Sequence, residues 1–145
     1  MLKTQLLHPQ ILEALGRAGH GSKVLLADGN YPASTKLGPR ATLVNLNLAP
    51  GLVSVTDVLK VLVATIPLEA AEVMTPDEGP EPPIFAEFRE LLRSATTFDR
   101  SAIEITKHSR FTFYDVAERS DVALTIVTGE QRIYANLLLT IGVVT

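Results

Sequence analysis

The side chains able to move a proton or hold a polar ligand are few in this chain, and they fall in three places. His20 stands between two glycines in Gly19-His20-Gly21-Ser22. An imidazole titrates near neutral pH, so it can both give and take a proton; at a helix end it can equally bind the last free carbonyls. Asp28 follows Val24-Leu25-Leu26-Ala27, a short apolar run of strand type. Sites in open α/β sheets gather at the carboxyl ends of strands, while an aspartate ahead of Gly29-Asn30 also suits an Asx turn. His20 and Asp28 bracket one strand, and the rest of the chain is expected to build a pocket around both. The third place is near the end. Tyr134 and Asn136 alternate with Ala135 and Leu137, which on a strand puts phenol and amide on one face. Both groups donate and accept hydrogen bonds, as sugar hydroxyls require; an edge strand with a polar face would look the same. His108 and Arg110 could hold a hydroxylated or anionic ligand, or form the solvated start of a helix. Glu69, after Pro67-Leu68, is either a site carboxylate or surface.

Other chemistries lack their residues. With no Cys there is no disulfide, thiolate metal site or thiol nucleophile. His8, His20 and His108 are too scattered for a metal-ligand motif. No Gly-x-x-x-x-Gly-Lys phosphate loop occurs, and neither Ser22 nor Ser54 sits in a nucleophile elbow. Thirteen Lys and Arg against sixteen Asp and Glu leave a net charge of −3, which gives no footprint for nucleic acid or an anionic membrane. The most apolar long stretch, residues 52–67, is interrupted by Asp57 and Lys60, short of the roughly 18 uninterrupted apolar residues of a membrane span. The first residues lack the apolar run of a signal peptide. The chain is therefore expected in the cytoplasm.

At 145 residues, 46% hydrophobic and 20% charged, the chain suits one domain, 1–145, with one core. Pro9 opens a helix whose Ile11, Leu12, Leu15 and Ala18 share a face, with Gly19 as its stop. Strands follow at 24–27 and 42–48. Ser54 and Asp57 make a capping-box pattern before a helix through Val58, Leu59, Leu62 and Val63. A strand over 70–74, a proline-rich acidic loop over 75–83 and a helix over 84–94 come next. Strands over 102–106, 122–127 and 133–139 and a helix over 111–120 complete the pattern. Such alternation argues an α/β layered domain, a central sheet flanked by helices.

Five pieces of the chain, in order, are shared with one known family: Gly19-His20-Gly21; Ala27-Asp28 with Asn30-Tyr31-Pro32-Ala33-Ser34; Arg110-Phe111-Thr112-Phe113-Tyr114; Thr128-Gly129-Glu130; and Tyr134-Ala135-Asn136. On these the chain resembles the D-ribose pyranase and L-fucose mutarotase family over nearly its whole length. Arg110-Phe111 with Phe113-Tyr114 is similar to the fucose-type branch. His108, Tyr134-Ala135-Asn136 and the stretch 44–51 are closer to the ribose-type branch.

The resemblance implies one α/β domain assembling into ring-like homo-oligomers, a decamer among them, with sites shared between neighbouring subunits. It implies a free monosaccharide as substrate and no cofactor. The reaction would be the interconversion of anomers or ring forms, with L-fucose the first choice and D-ribose the alternative. His20 would be the acid/base residue. Asp28 and Asn136 would hold sugar hydroxyls, Tyr134 would line the pocket, and Arg110 would bind sugar; Glu69 and Tyr114 are further site residues by similarity to the fucose-type members. A sugar-binding or transport-accessory protein without turnover is the competing reading, and a structural oligomer the third.

Overall fold

The computed structural model describes residues 1–95, 97 and 101–144. Four helices, α1 (Pro9–Arg17), α2 (Val55–Val63), α3 (Ile84–Leu92) and α4 (Arg110–Ala117), alternate with six strands. The strands are β1 (Lys23–Ala27), β2 (Thr42–Asn45), β3 (Leu68–Met74), β4 (Ile105–His108), β5 (Val122–Val127) and β6 (Leu137–Ile141). They form one sheet in the order β2-β5-β1-β6-β3-β4. β1 and β2 run parallel to β5, β3 runs parallel to β4, and β6 lies antiparallel between β1 and β3. Five strands therefore point one way, and their carboxyl ends lie along one edge of the sheet together with the start of β6. The expected α/β sheet flanked by helices is what forms.

Alternation along the strands divides the core. Val24, Leu26, Leu124, Ile126, Leu137 and Leu139 face α1, α2 and α3, meeting Ile11, Leu59, Leu62, Phe85 and Phe88. Leu25, Ala27 and Leu138 point the other way, onto Phe113, Val116 and Ala117 of α4 and onto Tyr31. Phe85 and Phe88 are fully buried and stack at 6.2 Å; truncating either would cost about 3–5 kcal/mol.

Local chemistry sets the element ends. The capping box forms as expected: Asp57 N–H donates to Ser54 Oγ, and Ser54 N–H to the Asp57 carboxylate, both at 3.1 Å. Pro9 sits at the start of α1 as expected, but Ala18 in extended conformation closes that helix, and the left-handed residue is Gly21, φ 80°, not Gly19. Strand boundaries move: β1 starts at Lys23 rather than residue 24 and β3 at Leu68 rather than residue 70. β2 stops at Asn45 rather than residue 48. β4 covers Ile105–His108 rather than 102–106, because Ala71 to Met74 of β3 pair with Ile105 to His108. The last strand starts at Leu137, so Tyr134 and Asn136 precede it in a turn. Among the described residues, no helix is long and apolar enough to cross a membrane.

Candidate functional site

Asp28 leaves β1 at the carboxyl edge and is 3% exposed. Its carboxylate is largely withdrawn from water, and the backbone and a neighbour hydrogen-bond it. Asn30 N–H donates to Oδ1 and Asn136 Nδ2 to Oδ2, both at 2.9 Å. Asn136 Oδ1 accepts the Asp28 backbone N–H at 2.9 Å. Burial raises the Asp28 pKa above its ordinary value, while these hydrogen bonds pull against it. The Asx turn expected at Asp28 forms, and the same side chain lines a cavity. Gly29 fits closely here, since a Cβ would lie 3.1 Å from the Glu130 carbonyl oxygen and push it aside by a few tenths of an ångström.

Tyr134 is placed by an unusual backbone, φ 60°. A tyrosine pays about 1–2 kcal/mol for the left-handed region, and the alternating-strand expectation fails at this point. The turn points the phenol toward the start of α4, where Arg110 Nη2 donates to its oxygen at 3.1 Å. Ser109 caps α4, its Oγ facing the Thr112 N–H, and so fixes where Arg110 leaves the backbone. Tyr31 packs edge-on against Tyr114 with ring centres 5.8 Å apart, and its hydroxyl donates to the Lys36 carbonyl at 3.1 Å. Burial, Glu118 and Tyr114 push the Tyr31 phenol further up, so it stays neutral at physiological pH.

Asp28, Asn30, Tyr31, Met74, Arg110, Tyr114, Ile133, Tyr134 and Asn136 together line a cavity of about 280 Å³. It lies near the lower end of small-molecule pockets, roughly 300–1,000 Å³. Asp28, Asn30, Arg110, Tyr114, Tyr134 and Asn136 supply its donors and acceptors. Met74, at the end of β3, and the exposed Ile133 make an apolar flank. Five expected residues therefore meet: Asp28, Arg110, Tyr114, Tyr134 and Asn136. Met74 and Ile133 were not foreseen, because an isolated apolar residue at a strand end or turn carries no spacing signal. Asn30 and Tyr31 were legible only as the turn that follows Asp28.

His20 and Glu69 lie elsewhere. Both stand at the amino edge of the sheet, His20 ahead of β1 and Glu69 at the start of β3, with His20 Nε2 2.8 Å from Glu69 Oε2. Five residues of β1 separate this pair from Asp28, about 16 Å of strand. One chain does not build a single pocket around His20 and Asp28. His20 also does not cap α1. His108 is outside the cavity as well; its Nε2 lies 2.6 Å from Glu72 Oε2, whose other oxygen accepts from Lys23 Nζ at 2.7 Å. Burial raises the Glu72 pKa, but Lys23 and His108 more than offset it. Among the described residues no group of three or more His, Cys, Asp or Glu is placed to hold a metal ion.

The fold is a mixed α/β sheet with a small-molecule-sized cavity, lined by polar and apolar side chains, at its carboxyl edge. The comparisons make this specific: residues 1–144 match the RbsD / FucU transport protein family, and the chain belongs to it. It is 33% identical to the fucose mutarotase of Homo sapiens over 150 residues, covering 95% of this chain and 90% of that one. The crystal structure of the fucose mutarotase of Streptococcus pneumoniae in complex with L-fucose superposes with a TM-score of 0.80, at 25% identity over 99% of this chain and 100% of that one. The structure of Bacillus subtilis RbsD complexed with D-ribose gives 0.75, at 26% identity and full coverage of both chains.

Proposed function

We propose that this protein is a monosaccharide mutarotase, an isomerase that interconverts the anomers of a free sugar, with L-fucose as substrate. The observation that carries this reading is the 33% identity to a fucose mutarotase over 95% of the chain. The cavity agrees with it: Asp28, Asn136, Tyr134 and Arg110 offer hydroxyl partners, and Met74 with Ile133 offers an apolar flank for the methyl group of a 6-deoxy sugar.

The reaction opens and recloses a hemiacetal. The anomeric hydroxyl loses its proton, the C1–O5 bond breaks as C1=O forms, and the ring oxygen gains a proton. After C1 turns its other face, the steps run backwards. General acid–base assistance of this kind is worth roughly 10²–10⁴-fold. Within one chain the cavity is lined by no histidine. The His20–Glu69 pair, whose side chains are 59% and 40% exposed, faces outward at the opposite edge. In our reading a second copy brings His20 to the open side of the cavity, with Glu69 orienting the imidazole. The protein is then a cytoplasmic homo-oligomer whose sites each draw on two subunits. Ile133, 69% exposed, lines the cavity, and Phe111, 75% exposed, follows Arg110 in the chain; such a copy would cover both.

Exchange NMR between the α and β anomers of fucose, galactose, ribose and rhamnose, with and without protein, tests the reading. Acceleration for fucose above the others supports it. Saturable binding without acceleration would instead make the protein a sugar carrier.

A further inference from the structure

Glu130 is almost fully buried, 5% exposed, yet it does not line the 280 Å³ cavity and has no part in the reaction above. Its backbone carbonyl accepts the Gly29 N–H at 2.9 Å, next to Asp28. Its own N–H donates to Thr128 Oγ1 at 3.2 Å, and that hydroxyl donates to the Ala27 carbonyl at 2.8 Å. The carboxylate faces the other loop of the site. Oε1 accepts from Arg132 N at 3.0 Å and Nε at 2.9 Å, and Oε2 accepts from Nη2 at 2.8 Å. The second arm of Arg132 reaches α3, with Nη1 donating to Glu87 at 2.7 Å. Two residues further on is Tyr134, in a left-handed conformation that a tyrosine does not choose by itself.

We propose that Glu130 is a positioning residue: through Arg132 it holds the turn that aims the Tyr134 phenol at Arg110, and through its carbonyl it sets that turn against the Asp28 loop. The proposal rests on the mutarotase reading for its kinetic consequence, but not for its structural one. A bidentate pair bound at three points fixes both position and direction of the residues beside it. The carboxylate grips the backbone N–H of Arg132 as well as its guanidinium, so it fixes the turn itself and not only the side chain. Glu130 therefore acts on the sugar through Tyr134, and losing it is equivalent to losing the phenol.

The experiment uses the full chain labelled with 3-fluorotyrosine. The three tyrosines give three ¹⁹F resonances, and Tyr134→Phe assigns one of them. Glu130→Gln tests the carboxylate directly; Arg132→Gln tests the same link from its 42%-exposed end, should the altered side chain at the buried Glu130 position prevent the first variant from folding. Either is expected to shift or broaden the Tyr134 resonance while the Tyr31 and Tyr114 resonances stay in place. In anomer exchange, kcat/KM is expected to fall about tenfold, with no further loss when Tyr134→Phe is added. An unmoved Tyr134 resonance, or losses that multiply in the double variant, would overturn the proposal. Absence of exchange in the unmodified protein would instead count against the mutarotase reading, and the ¹⁹F result would still decide the role of Glu130.

Discussion

Asn136 and Asp28 bind each other twice, in opposite directions. The amide nitrogen donates to the carboxylate at 2.9 Å, and the amide oxygen accepts the aspartate's own N–H at 2.9 Å. The pair ties the end of β1 to the start of β6 and leaves the Asp28 carboxyl buried, fully hydrogen-bonded and facing the cavity. Only a side chain with both a donor and an acceptor at this length can do so.

Asn136→Leu leaves two buried polar groups of Asp28 unpaired and is expected to cost about 2–3 kcal/mol. Asn136→Asp is expected to cost at least as much, because it replaces the donor with a second carboxylate. Urea unfolding checks both, and an unchanged midpoint for either would show that Asp28 finds another partner.

Tyr134→Phe removes the oxygen that Arg110 holds while leaving the ring in place. Anomer exchange is expected to slow about tenfold, with stability within about 0.5 kcal/mol of the parent. A matching loss of stability would instead mark the phenol as part of the framework.

The glycines separate by what surrounds them. A Cβ at Gly129 would collide with the carbonyl oxygens of Ala49 and Leu52, so Gly129→Ala is expected to cost about 3 kcal/mol. Gly16 lies inside α1 with nothing near its missing Cβ. Gly16→Ala is expected to stabilise by about 0.5–1 kcal/mol. Thermal melting of the two variants should move in opposite directions.

Stability depends on pH through carboxylates held below their ordinary range. Arg89 and Lys107 hold Glu81 down at about 2, against 4.5, and Arg132 holds Glu130 below 4.5. A lowered folded pKa means that the native state binds fewer protons than the unfolded chain. The contribution is therefore complete above 4.5 and is lost as pH falls toward 2. Asp28 has the opposite sign, its raised pKa favouring the folded state below 3.8. The melting temperature is expected to fall on acidification below pH 4.5, less steeply in Glu81→Gln. Since Glu81 is partly exposed, its share should shrink with added salt.

The sequence reading succeeded where local rules decide and failed where partners do. The Ser54–Asp57 box needs only its own residues, and β5 is an apolar run, broken only by Thr125, that is buried on both faces; both were readable. So was Asp28 as the residue after a buried strand. The strand expected over 133–139 was misplaced because Ile133 and Tyr134 read locally as strand residues, whereas Asp28, 108 residues from Asn136 in sequence, and the nearby grip of Glu130 on Arg132 hold the chain in a turn. The assignment of β4 to 102–106 erred because its register is set by β3. His20 and Asp28 are adjacent in motif and separate in space, since the strand between them holds them at opposite edges of the sheet.

The central claim, a sugar-opening site assembled from two copies, is tested most directly by anomer exchange of L-fucose in co-expressed variants. His20→Ala and Asp28→Asn are each expected to lose most of the acceleration. Oligomers containing both should regain part of it, because some sites then combine an intact His20 with an intact Asp28. Full activity in His20→Ala alone, or no recovery in the mixed oligomers, would contradict the account.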